Sequence, residues 1–254
     1  MAHRLRQDRR LASFDPPGST LTIPNFISPQ GDIVGLYLDG SSVSHGFVLS
    51  GGNYTTVNFT GAPGSALTGL NPSGEMSGYY CSDPACGQTG NASTNQEHSF
   101  VVSKKGVFTS FDPPGATGST ASTVNPSGAI VGSYDTTAEG TCFNSCQGYL
   151  LYHGTFVTIN FPAGIFTLVG GNNAPGDIVG EYVDTSDVGH SYLLSHGVYT
   201  SFDPPEPSSP LERPGSTLGE SSWVSLLTPR ALSTDISGRR KRAEIHTSTR
   251  HWNA

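Results

Sequence analysis

Apolar residues come along this chain in short runs, each closed by turn residues. Ile33-Val34 leads to Tyr37, a polar loop intervenes, and His45-Gly-Phe-Val-Leu49 follows; Gly51-Gly52 then turns the chain into Tyr54-Thr-Thr-Val57. The same order returns downstream, where Lys105-Gly106 turns into Val107-Phe-Thr-Ser110. Short β-branched and aromatic runs bounded by Gly, Pro, Asn and Ser read as strands. Each stretch of roughly 40 to 50 residues therefore predicts about four of them.

Three phrases set the period. Ser13-Phe-Asp-Pro-Pro-Gly18 returns as Ser110-Phe-Asp-Pro-Pro-Gly115 and Ser201-Phe-Asp-Pro-Pro205, with looser copies at Asn58-Phe-Thr-Gly-Ala-Pro-Gly64 and Asn160-Phe-Pro-Ala-Gly164. The second phrase is Ser28-Pro-Gln-Gly-Asp-Ile-Val-Gly-Leu-Tyr37, repeated from Asn71 to Tyr80, Asn125 to Tyr134 and Asn173 to Tyr182. The third begins at His45, His98, Gln147 and His190. Proline fixes φ and glycine supplies positive φ in the Asn-Pro-x-Gly turns, where Asn caps its own backbone. The recurring Tyr positions read as strand packing.

Four-stranded units of this length predict an all-β chain, a β-propeller of about four repeats or a part of a larger ring; a parallel β-solenoid is the rival. The expected layout is a non-repeat segment over 1–12, repeats over about 13–57, 58–110, 111–159 and 160–205, and a disordered tail over 206–254 that holds the run Arg239-Arg-Lys-Arg242.

The pattern resembles the HAF family of bacterial extracellular repeat proteins over about residues 11–205, departing at Ser28, where the turn Asn is replaced, and at Gln147, which replaces the His. The resemblance implies export and a repeated β fold, and implies no catalytic residues.

Composition agrees with many strands and tight turns. Gly and Pro make 50 of 254 residues. No run approaches the roughly 18 apolar residues that a membrane-spanning helix needs. From Phe14 to Pro205 the only basic side chains besides His are Lys104 and Lys105, against 14 carboxylates, a net of −12. A body so acidic is expected to repel nucleic acid and anionic lipid and to favour divalent cations. The cysteines fall in two close pairs, Cys81 with Cys86 and Cys142 with Cys146, inside polar loops that lengthen the second and third units. The pairs predict loop-stapling disulfides and an oxidising compartment, outside the cell or in its envelope; a four-thiolate zinc site and free thiols are the alternatives. The first ten residues are basic without a following apolar core, so either the true start is expected upstream or the chain is a fragment of a longer reading frame.

Two constellations carry candidate chemistry. His45, His98 and His190 share one repeat position; they predict either hydrogen bonds within the fold or, if they converge, a transition-metal site. Asp32, Glu75 and Asp177 share another position, and Asp184 with Asp187 lies close to His190. Rings of such oxygens suit Ca2+, and no organic cofactor is expected. Asp177, Asp184 and His190 are the candidates for catalysis if the ion polarises a carbonyl. No G-x-S-x-G, H-E-x-x-H, P-loop or G-x-G-x-x-G occurs. Two functions follow as expectations: a secreted propeller that binds a small molecule, glycan or partner with a divalent cation, or a calcium-dependent hydrolase that opens a small lactone or ester.

Overall fold

The computed structural model describes residues 13–83, 97–137 and 146–203. These belong to one compact unit, Met1–Glu212, and the second unit, Arg213–Ala254, lies outside them. The expected tail over 206–254, the segment 1–12, Cys86 and Cys142 likewise fall outside the described residues.

Every described element is a β-strand. The first sheet is β1 (Leu21–Ile27), β2 (Ile33–Leu38), β3 (Ser44–Ser50) and β4 (Asn53–Val57). The second is β5 (Gly64–Leu70), β6 (Met76–Cys81), β7 (Glu97–Val102) and β8 (Phe108–Phe111). The third is β9 (Gly118–Val124), β10 (Ile130–Asp135), β11 (Gln147–Tyr152) and β12 (Thr155–Ile159). The fourth is β13 (Phe166–Asn172), β14 (Ile178–Val183), β15 (Gly189–Ser195) and β16 (Val198–Phe202). Each sheet is an antiparallel meander whose strands stand in chain order. The fold is a β-propeller of four-stranded blades, and the solenoid alternative falls away because every sheet closes on hairpins within one repeat.

The turn phrase forms as its chemistry dictates. Asn71 Oδ1 accepts the N–H groups of Ser73 and Glu75 at 3.0 and 2.9 Å. Asn125 does the same for Ser127 and Ala129, and the Oγ of Ser28 substitutes in the first blade. The short polar side chain thus satisfies the N–H groups that a tight turn leaves free.

The Gly of the second phrase has a steric cause. Gly35, Gly78, Gly132 and Gly180 pair across the sheet with Phe47, Phe100, Tyr149 and Tyr192. A Cβ at Gly132 would lie 2.7 Å from the Tyr149 hydroxyl and inside contact with the Thr120 carbonyl; the other three glycines meet the same two obstacles. Each aromatic ring lies across a glycine of the neighbouring strand and is fully buried there.

Successive blades pack through the first strand of one against the second and third strands of the blade before it. One apolar cluster joins Val34 of the first blade to Leu67, Phe100 and Val102 of the second, and another joins Val131 and Ile159 to Val169, Ile178 and Tyr192. Each first strand carries a register break, and in the first three blades the residue there reaches the next blade. Asn25 Nδ2 donates to the Leu67 carbonyl at 2.7 Å, Thr68 Oγ1 to Ala121 at 2.7 Å and Ser122 Oγ to Val169 at 2.6 Å. The fourth blade has Gly170 at this position and no such donor. Val179 is 43% exposed, where its counterparts Val34 and Val131 are fully buried against a following blade.

Candidate functional site

The meander places its hairpins at two ends of each blade. One end carries the turn between β2 and β3, its counterpart between β14 and β15, and the connections between blades. The other carries the Asn-Pro-x-Gly turns and the β3–β4 turns.

At the first end the repeated His is clamped. His45 receives a hydrogen bond from Asn58 Nδ2 on Nδ1 at 2.9 Å and meets Asp39 Oδ2 through Nε2 at 3.2 Å. One neutral tautomer, protonated on Nε2, satisfies both contacts. His98 meets Asp112 through Nδ1 at 2.9 Å. His190 lies between two carboxylates, with Nδ1 2.7 Å from Asp203 and Nε2 3.4 Å from Asp184. Those carboxylates raise the imidazole pKa, the hydrogen bond that Nδ1–H donates to Asp203 foremost. Gln147 takes the position in the third blade and accepts the Tyr134 hydroxyl at 2.9 Å.

The carboxylates around these rings hold turns. Asp184 Oδ1 accepts the N–H groups of Ser186 and Val188 at 2.8 and 3.0 Å, and Asp39 does the same for Ser41 and Val43. The Val188 bond contributes most to keeping the Asp184 carboxyl below the usual carboxylate range, with Ser186 next. Asp187 takes a left-handed backbone, φ 59°, inside the same turn. Asp112 turns its other oxygen to Ser119 Oγ at 2.6 Å, and Ser119 continues to Ser99 and Tyr149. A serine nucleophile needs a base to take its proton. Ser119 donates a hydrogen bond to Asp112 Oδ1, and the His98 ring reaches only the other oxygen of that carboxylate.

Asp32, Glu75 and Asp177 stand in the Asn-Pro-x-Gly turns of three different blades. Asp177 accepts from Ser195 and Asn173, and its carboxyl is held low, by Ser195 first. Glu75 accepts from Asn71 Nδ2 at 2.8 Å. The structure thus joins Asp184 to His190 and leaves the Asp32, Glu75 and Asp177 set on separate blades. Among the described residues no group of three or more His, Cys, Asp or Glu is placed to hold a metal. Cys81 and Cys146 are buried, and neither is a free thiol.

The second end carries two shallow, open clefts that no repeated phrase marks. Both lie between consecutive blades at matching repeat positions. A cleft of about 490 Å³ is walled by Ser73 and Glu75 of the second blade, by Lys104 and Lys105 of its β7–β8 turn, and by Ser127 and Gly128 of the third blade. The next, of about 270 Å³, lies between Tyr152 and Ser127 of the third blade and Asn172 and Pro175 of the fourth. Its walls are fixed by bonds between blades: Asn125 Nδ2 donates to the Asn173 carbonyl at 2.9 Å, and Asn172 Nδ2 to that of Ala129 at 3.0 Å. The Tyr152 ring is 41% exposed and rests on His153, ring centres 4.0 Å apart. Ser127 donates to Asn125 Oδ1 at 2.7 Å, which leaves its lone pairs to a ligand. No sequence signal marks this site, because the exposure of Tyr152 and the groove arise only where two blades meet.

No family model matches the chain, and no curated protein does. Among solved structures it is similar to TolB from Acinetobacter baumannii, at 17% identity and TM-score 0.48, over 68% of this chain. It spans 41% of that TolB chain. It is also similar to a triple arginine-to-alanine variant of AofleA from Arthrobotrys oligospora, at 16% identity and TM-score 0.45, covering 76% of this chain and 61% of the other. A variant of the Aleuria aurantia lectin in complex with α-methyl-L-fucoside follows, at 14% identity and TM-score 0.31, covering 72% and 76%.

Proposed function

We propose that this chain is a propeller-type binding module that takes sugars, outside the cell, in the clefts between consecutive blades. The observation that carries the reading is Tyr152, a solvent-facing ring at the edge of a cleft whose walls are braced by hydrogen bonds between blades. A sugar presents an apolar C–H face and a rim of hydroxyls. An amphipathic aromatic suits the first, and Ser127 with the turn backbone suits the second. The absence of a free thiol among the described residues supports an oxidising compartment. The reading needs no cation, because Asp177 and Asp184 are engaged by turn N–H groups and side chains.

A monosaccharide at about 0.3 kcal/mol per heavy atom binds with about 4 kcal/mol, a Kd of about 1 mM. Backbone-amide NMR titration with methyl glycosides of fucose, galactose, mannose and N-acetylglucosamine tests the reading. Saturable shifts at Ser127, Tyr152 and Gly176 are expected for at least one sugar and are lost in Tyr152→Ala. A flat response to the whole panel, and to di- and trisaccharides of the same sugars, contradicts it.

A further inference from the structure

The larger cleft differs from its neighbour in charge. Lys104 and Lys105 are the only lysine or arginine residues from Phe14 to Pro205, and both stand at its rim. In a stretch with 14 carboxylates, neither lysine forms an ion pair among the described residues. The Lys104 stem lies over the Asn-Pro-Ser-Gly turn, where a Cβ at Gly74 would sit 3.2 Å from its methylenes. The aliphatic stem thus packs on the turn while the residue lines the cleft. Glu75, the one carboxylate in the wall, is tied to Asn71 Nδ2 at 2.8 Å and is positioned to accept a hydroxyl. Ser73, Ser103 and Ser127 add hydroxyls around it. The matching cleft of the next blade pair has Tyr152 and Pro175 and no lysine or arginine in its wall.

From this asymmetry we infer that the Lys104–Lys105 cleft binds an acidic saccharide, its anionic group held by the two ammonium groups and its hydroxyls by Glu75 and the serines. The inference rests on the sugar-binding reading and assigns a sugar class to one of its two clefts. The acidic surface around the cleft disfavours polyanions in general, so a short acidic sugar that reaches only the two lysines is selected over long nucleic acids.

The test compares trigalacturonate with its methyl ester, the same sugar with its charge removed, by calorimetry at low salt. Two exposed charge contacts correspond to about tenfold in affinity. The acid is expected to bind about tenfold tighter than the ester, with the advantage shrinking as salt rises to 0.5 M on the order of the Debye screening. The Lys104→Gln/Lys105→Gln protein, whose melting curve is expected to match the parent's because both side chains are exposed, loses the advantage and keeps the ester's affinity. Galactose 6-sulfate against galactose forms a second arm; a gain there or with the uronate supports the inference, and the arm that gains tells sulfate from carboxylate. Equal binding of charged and neutral sugars, or a charge preference that survives in the double variant, overturns the inference and leaves the sugar-binding reading standing. Failure of every sugar, charged or neutral, removes both.

Discussion

His98 and Asp112 meet at 2.9 Å across the line where one repeat hands over to the next. His45 with Asn58, and His190 with Asp203, repeat the relation. In three of the four repeats the third phrase is thereby fastened to the start of the following one, which accounts for the recurrence of His there; Gln147 bonds Tyr134 instead. A hydrogen bond to a charged group contributes about 1.5–3 kcal/mol, and losing one side of it costs a comparable amount. Asp112→Ala is expected to lower unfolding free energy by about 2 kcal/mol in urea melts. A double-mutant cycle with His98→Ala should return a coupling of about 1 kcal/mol, and additivity would deny the fastening.

The His190 clamp carries a pH signature. Its imidazole pKa lies above the usual 6.5, from the Asp203 hydrogen bond first, so its contribution is complete below 6.5 and is lost as pH rises through the raised value. Asp184 and Asp203 lie below 3.8, Asp184 through the N–H of Val188 first and Asp203 through His190 first. Their contribution is complete above 3.8 and is lost as pH falls through the lowered values. The clamp is therefore fully formed between about pH 4 and 6.5. Ring-proton NMR should give His190 a midpoint above the ordinary histidine value of 6.5, and Asp203→Asn should bring it down.

Glu97 works in the other direction. Burial alone raises its carboxyl to about 7, and the side chain stands beside Cys81 in the β6–β7 pairing. With the folded value above the unfolded 4.5, the native state holds the proton longer, so stability falls as pH climbs from about 4.5 to 7. The shift corresponds to about 3 kcal/mol. Chemical denaturation at pH 5 and pH 8 should show a loss of this order beyond what other groups contribute. Glu97→Gln is expected to remove most of that slope, and an unchanged slope would contradict the assignment.

Gly132 tests the packing of glycine under an aromatic ring. Gly132→Ala should cost about 3 kcal/mol or more, since neither the Thr120 carbonyl nor the buried Tyr149 ring can retreat. Gly189→Ala is the control: its Cβ would meet nothing within 4 Å, and the effect should stay within about 0.5 kcal/mol. Equal effects at the two positions would show that the ring does not define the motif.

Much of this was legible in the residues because the determinants are local. Asn71, Asn125 and Asn173 announce turns through bonds to N–H groups two to four positions away, and the turn glycines follow from backbone geometry. Strand number per repeat followed from the same punctuation. What escaped depends on residues tens of positions apart. The partner of each His lies 13 or 14 residues downstream, at a position that is Asn in two repeats and Asp in two. Spatial register equates Phe59 and Phe161 with Pro113, as the turn bonds from Ala62, Gly164 and Ala116 show, so the Phe of the looser phrases is not the counterpart of Phe111. The clefts exist only where two blades meet, and Lys104, Lys105 and Tyr152 carry no motif. Carboxylates that share a repeat position looked like a ring of ligands; as Asp177 and Glu75 show, a shared position in a turn also serves the turn itself.

The central claim is that the groove between the third and fourth blades is a sugar site. Titration of the parent protein and of Tyr152→Ala with methyl glycosides, followed on backbone amides, addresses it most directly. The account predicts saturable shifts confined to the turns around Ser127 and Gly176, with a Kd of about 1 mM, abolished by removing the ring while the melting curve is kept. Shifts that fall on the His190 and Asp184 end of the blades, or saturable shifts at Gly176 that survive Tyr152→Ala, would contradict it.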